Sequence, residues 1–222
     1  MRVVIAGAGK VGRSIAAELL DHGHEVLLID EDAENFRADL EGAQWLQADA
    51  CEISSLDEAR LQTCQVVIAA TGDDKVNLVI SLLAKTEYGV PRVVARVNHP
   101  KNEWLFNEAW GIDVAVSTPR MLSALVEEAV SIGDVVRLME FEQGEANLVE
   151  LTLPENSPVI ASRVDSLAWP QDVALVVIMR DARVLLPSGD DTLEVGDELL
   201  FVAPPSAEES IQQILAPEPS SA

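Results

Sequence analysis

Short continuous apolar runs punctuate the N-terminal part of the chain, at residues 3–6, 26–29, 66–70, 93–95 and 114–116, and Trp45-Leu46 within 43–48 suggests a further short strand ending at Asp49. Because they are continuous rather than alternating, they predict strands covered on both faces, as in a parallel sheet. Helical periodicity fills the gaps. Val11, Ile15, Ala16, Leu19 and Leu20 recur at helical spacing after the first run, and residues 31–40 form a polar, helix-compatible stretch. Ser54 or Ser55 caps a predicted helix with acids in its first turn, and residues 78–84 resume an apolar helical face. Residues 100–110 read as a helix carrying Trp104, Leu105 and Phe106, either core or a subunit contact. Thr118-Pro119 is an N-cap and N1 pair opening a helix to about Ile132, broadly apolar through Met121, Leu122, Leu125, Val126, Ala129 and Val130.

From about Val135 the pattern changes to short strands at 136–141, 148–153, 173–180, 183–186 and 198–203, broken by Pro154, Pro158, Gly189 and Gly196 and closed by a helix at 206–215. The change of element order marks a boundary at Ser131-Ile132-Gly133-Asp134. It predicts a first domain over 1–133, a second over 134–216 and a disordered small-residue tail at 217–222.

The first run stops at Gly7-Ala8-Gly9-Lys10-Val11-Gly12, so strand, glycine turn and helix follow one another. Gly7 suits a tight turn, Gly9 lets backbone approach a pyrophosphate, and Gly12 lets the helix pack closely on the strand. Phosphates favour the helix N-terminus, where unpaired N–H groups and the dipole attract negative charge. The second run ends in Asp30, 18 residues past the third glycine, where a carboxylate can accept from ribose hydroxyls. That carboxylate would repel a 2′-phosphate, so NAD(H), ATP, ADP or AMP is expected in preference to NADP(H). The fold class is therefore α/β, a Rossmann-like doubly wound parallel sheet with a second, smaller α+β domain.

Further candidates stand at the carboxyl ends of later strands, the edge where such folds bind ligands. Asp49 is open to a second ribose or adenine contact or to capping its own loop. Thr71-Gly72-Asp73-Asp74 is again a polar turn between strand and helix, its two acids either lining the cleft or solvated. Arg96 faces either a phosphate or a surface ion pair.

Composition narrows the partners. With 38 acidic against 15 basic residues and a net charge of -23, the chain is unsuited to nucleic acid or an anionic membrane surface. No basic helix-turn-helix segment is present for a transcription factor. No apolar stretch approaches the ~20 residues that span a bilayer, and the first strand begins too early for a signal peptide. Cys51 and Cys64 lack paired spacing and read as reduced cytoplasmic thiols.

Gly7-Ala8-Gly9-Lys10-Val11-Gly12-Arg13, Asp30, Asp49, Thr71-x-x-Asp74-x-x-Asn77 and Ala95-Arg96-Val97-Asn98 together resemble the TrkA-type regulators of potassium transport, over nearly the whole chain. The first domain is similar to the RCK (KTN) nucleotide-binding domain and residues 135–215 to its C-terminal companion. Ile178-Met179-Arg180, residues 187–192 and Gly196-Asp197-Glu198-Leu199 match the companion's strand, turn and strand. Ala48, Cys51 and Lys75 depart from the family pattern.

The resemblance implies a cytoplasmic, non-enzymatic gating subunit, held at the inner face of the membrane by a separate membrane-embedded potassium transporter subunit. It implies a homo-oligomer, dimers assembling into a ring, with NAD(H) or ATP/ADP as ligand. By position, Gly7, Gly9 and Gly12 with Lys10 and Val11 would hold phosphates, Asp30 the ribose, and Asp49 with Ala50 the adenine side. Thr71, Gly72, Asp74 and Arg96 would line the cleft. In the second domain the resemblance leaves room for a cyclic dinucleotide, while Asp190, Asp191, Glu194 and Asp197 read as a solvated turn or, alternatively, as a cation site. The alternative is an NAD-dependent oxidoreductase, which needs a proton donor or acceptor beside the cofactor. His22 and His24 lie on the wrong edge of the sheet, His99 near the carboxyl edge reads as a surface residue, and Tyr88 has no lysine four residues on.

Overall fold

Strand β1 (Arg2–Ala6) leads through the glycine loop into α1 (Lys10–Asp21), followed by β2 (Glu25–Asp30), β3 (Gln44–Gln47), α2 (Ile53–Glu58), β4 (Val66–Ala69), α3 (Asp74–Thr86), β5 (Arg92–Val97), β6 (Val114–Ser117) and α4 (Thr118–Val130). In this computed structural model the six strands are parallel, in the order β3-β2-β1-β4-β5-β6. That is the strand order of dinucleotide-binding doubly wound folds, with the reversal of direction between β1 and β4. The structure describes residues 1–36, 40–130, 132–141 and 146–216, apart from the side chains of residues 128 and 129.

In the central strands β1 and β2 the continuous apolar runs are explained by burial on both faces, whereas the edge strands β3 and β6 stay partly exposed. Successive β1 side chains point to opposite sides. Val3 and Ile5 join Ala16, Val26 and Leu28 in one core cluster, while Val4 and Ala6 join Leu27, Ile29, Val67 and the apolar face of α3 in the other. Each fully buried aliphatic side chain contributes about 1.5–3 kcal/mol. Cys64 is buried in the second cluster, and both cysteines are free thiols.

Three helix expectations change. Residues 100–110 form two short 3-10 segments, Pro100–Leu105 and Glu108–Trp110, because the chain leaves helical geometry at Phe106, Asn107 caps a new turn through its side chain, and Gly111 ends that turn in the left-handed region. Trp104 is exposed while Phe106 is buried. Helix α2 starts at Ile53 with Glu52 in the cap position rather than a serine. In 31–40, the described residues hold only a 3-10 turn, Ala33–Asn35, with the Asp32 carboxylate accepting from Glu34 N at 2.8 Å.

Strands β7 (Val136–Glu140), β8 (Asn147–Thr152), β9 (Ala174–Arg180), β10 (Arg183–Leu185) and β11 (Glu198–Ala203) form an antiparallel sheet, ordered β10-β9-β11-β8-β7 and covered by α5 (Glu208–Leu215). Val149, Leu151, Ile178, Leu199, Phe201, Ile211 and Leu215 form its core. Arg180 pairs with Asp197, which is wholly buried, and with Glu194. The Asp190 carboxylate accepts from the Ser188 hydroxyl and Asp191 from Ser188 N. Of the two readings of this turn, a cation site or a solvated acidic turn, the arrangement favours the second, except that Asp197 is buried: two of the acids are paired with Arg180, and no described group of His, Cys, Asp and Glu is arranged to hold a metal.

The compact units of the chain are Met1–Arg120 and Met121–Ala222. The boundary expected after Gly133 rested on element order, which changes only beyond α4. The tail at 217–222 lies outside the described residues. No described helix is long and apolar enough to cross a membrane.

Candidate nucleotide site

A cavity of about 680 Å³ opens at the carboxyl ends of β1, β2 and β4, where the sheet order reverses. Pockets of this size accommodate small-molecule cofactors. Gly7, Gly9, Lys10 and Val11 form one wall. Gly7 adopts φ +101° and lies so close to β4 that a Cβ would fall 2.8 Å from Thr71 N. Gly9 precedes the first turn of α1 with φ −64°, and a Cβ there would meet nothing within 4 Å. No side chain caps α1. The first N–H groups of the helix, which have no intrahelical acceptor, therefore face the cavity beside Lys10.

Gly12 does not line the cavity. A Cβ at this position would stand 1.9 Å from the Gly7 carbonyl oxygen, so its role is to let α1 approach the loop. The Arg13 guanidinium holds the same loop from behind, donating to the carbonyls of Ala8 at 2.6 Å and Asn35 at 3.2 Å.

The second wall comes from the end of β2. Asp30 lines the cavity; its Oδ2 accepts from Ala8 N at 2.6 Å, and its Oδ1 accepts from Asp32 N and the Asn35 side chain at 2.9 and 3.1 Å. Asp49 and Ala50 line it further along. Asp49 also accepts from Cys51 N at 2.7 Å, so lining the cavity and capping the loop are compatible. Burial, and then the Asp49 carboxylate, push the Cys51 thiol up to about 11.

Thr71, Gly72 and Arg96 complete the lining opposite the glycine loop. Arg96 Nε is buried with no hydrogen-bond partner. A buried donor left in this state costs about 1–3 kcal/mol, which an acceptor brought into the cavity would recover.

Asp74 is not part of the lining; Asp73 is. Asp74 is buried beneath the turn, accepting from Asn98 N at 2.6 Å, His99 N at 3.0 Å and Asn102 Nδ2 at 2.8 Å. Burial alone would raise its pKa, but the Asn102, Asn98 and His99 donors outweigh it and hold the carboxyl below the ordinary value. Asn77, also buried, accepts from Thr71 N at 3.0 Å and donates to the Arg96 carbonyl at 2.8 Å, tying the ends of β4 and β5 together. The three-residue spacing of Asp74 and Asn77 places both on one face of α3. The spacing of this motif is legible in the sequence, but which of its residues are struts and which are wall is not.

The family model described as TrkA-N domain matches residues 3–118, and that described as TrkA-C domain matches residues 148–216. The chain belongs to the TrkA family. Over 98% of its length it is 58% identical to the Trk system potassium uptake protein TrkA of Mycobacterium tuberculosis, covering 99% of that protein. The GsuK channel bound to NAD has the same fold: TM-score 0.69 at 16% identity, covering 98% of this chain and 40% of the channel chain. GsuK bound to ADP matches 60% of this chain and 35% of its own, with TM-score 0.52 and 17% identity. The titratable groups that this TrkA-family chain presents in its cavity, among the described residues, are carboxylates, Lys10 and Arg96.

Proposed function

We propose that the chain is a cytosolic regulatory subunit of a potassium-uptake system, binding an adenine nucleotide, NAD(H) or ATP/ADP, and controlling a separate membrane-embedded transporter subunit through its conformation. One observation carries this reading: in a TrkA-family chain, the uncapped N-terminus of α1 opens on a cavity bordered by Asp30. Phosphates would rest on Gly7, Gly9, Lys10 and Val11, the ribose on Asp30, and the adenine toward Asp49 and Ala50. Thr71, Gly72 and Arg96 would meet the far end of the ligand. Gly12 and Asp74 support the site without touching the ligand.

A ligand shifts a conformational equilibrium only by its differential affinity for the two states, typically about 1–3 kcal/mol of coupling. Several copies would form the ring on which the transporter rests. The choice of ligands is supported by GsuK, of which solved structures include the channel bound to NAD and a form bound to ADP. The test is potassium flux through proteoliposomes holding the transporter subunit and this chain. Flux is expected to change on adding NADH, ADP or ATP; flux that ignores all three rejects the proposal.

A further inference from the structure

We infer that the cavity sorts nucleotides by charge, taking NAD or a diphosphate in preference to a free triphosphate; this rests on the nucleotide reading above. Among the described residues, five carboxylates line the cavity, those of Asp30, Glu31, Asp32, Asp49 and Asp73, against two cationic side chains, Lys10 and Arg96. Arg13 adds a third cation behind the loop, where the Ala8 and Asn35 carbonyls already engage it.

Most of the acids are fixed in place. Asp30 is held by Ala8 N and Asp32 N, Asp32 by Glu34 N, Asp49 by Cys51 N and Asp73 by Lys75 N. These bonds favour orientations in which the carboxylates stay at the cavity wall. The favourable features are the α1 N-terminus, worth about half a positive charge, Lys10 and the unpaired Arg96 Nε. These suffice for a short phosphate chain. Every further phosphate lies in a field set by the carboxylates and focused by the cleft. At neutral pH NAD⁺ carries about one net negative charge, ADP about three and ATP about four. Ligands of similar shape are thereby ranked by charge.

Calorimetric titration of the full chain tests this in buffer without divalent cations. ADP is expected to bind at least about tenfold more tightly than ATP, a difference of about 1.4 kcal/mol. The gap should narrow at high salt, which screens the wall, and on adding Mg²⁺, which neutralises part of the triphosphate. In the triple variant Glu31→Gln, Asp32→Asn, Asp73→Asn, whose amides keep the cap acceptors, the ratio should fall to about threefold or less. Equal affinities for ADP and ATP in the native chain, or a gap untouched by salt and by the variant, overturn the inference. Absence of binding by NAD, ADP and ATP alike instead overturns the nucleotide site itself.

Discussion

The Asp30 carboxylate receives the Ala8 N–H at 2.6 Å, so the acid at the end of β2 grips the glycine loop that begins at the end of β1. Its position beside the glycine loop is thus fixed by the loop itself. On the proposed reading the same carboxylate would also hold the ribose, so a substitution there would disturb both roles.

Asp30→Ala removes the acceptor of the Ala8, Asp32 and Asn35 donors. Urea unfolding should show a loss of about 1–3 kcal/mol, and titration should show at least about tenfold weaker binding of NADH and ADP. Unchanged affinity would mean that the ribose does not meet this carboxylate.

The glycines separate by the space around them. Gly12→Ala drives a methyl into the Gly7 carbonyl, a backbone atom that cannot give way, and should lower the melting temperature sharply. Gly9→Ala meets nothing and keeps an ordinary φ, so the fold should survive while the methyl obstructs the phosphates. A normal melting curve with weakened nucleotide binding is the expected signature of Gly9→Ala.

Asp74 predicts a pH dependence of stability. Its folded pKa is lowered from 3.8, so its contribution is complete above that value and is lost as the pH falls through the lower folded value. Asp74→Ala, which leaves the Asn98, His99 and Asn102 donors without their carboxylate, should cost about 3 kcal/mol at neutral pH. Denaturation midpoints followed down the acid limb should fall less steeply for the variant than for the native chain.

Arg180→Met strands the fully buried Asp197 without its guanidinium, for an expected loss of about 3–5 kcal/mol from the second unit. Adding Asp197→Leu should recover part of this, because an apolar pair of similar volume replaces an ion pair at little net cost. Unfolding of both variants in urea decides the matter.

The parallel sheet was legible because strands buried on both faces cannot hide among polar residues, as the run 66–70 illustrates. Thr118-Pro119 lies at the start of α4, although Thr118 is the first residue of the helix rather than its cap. The composition of 100–110 suits a helix, whereas the chain leaves helical geometry at Phe106 and Asn107 restarts a separate turn that Gly111 ends. Within the site, chain order brought Asp73 and Asp74 to the same turn but could not say which faces the cavity. Neighbouring residues at a helix start point in different directions, and only packing decides which is outward.

By itself the sequence determined the order of elements, the glycine loop, the acid at the end of β2 and the family, since each is written in local spacing and residue type. The tertiary structure decided what spacing cannot carry. It made Gly12 and Asp74 supports, set Asp73 in the wall, and left Arg96 Nε buried without an acceptor. The physical reason is that each outcome depends on which strand end lies beside which. In a parallel sheet such neighbours are far apart in the chain, joined only when the crossovers bring β1, β2, β4 and β5 to one edge.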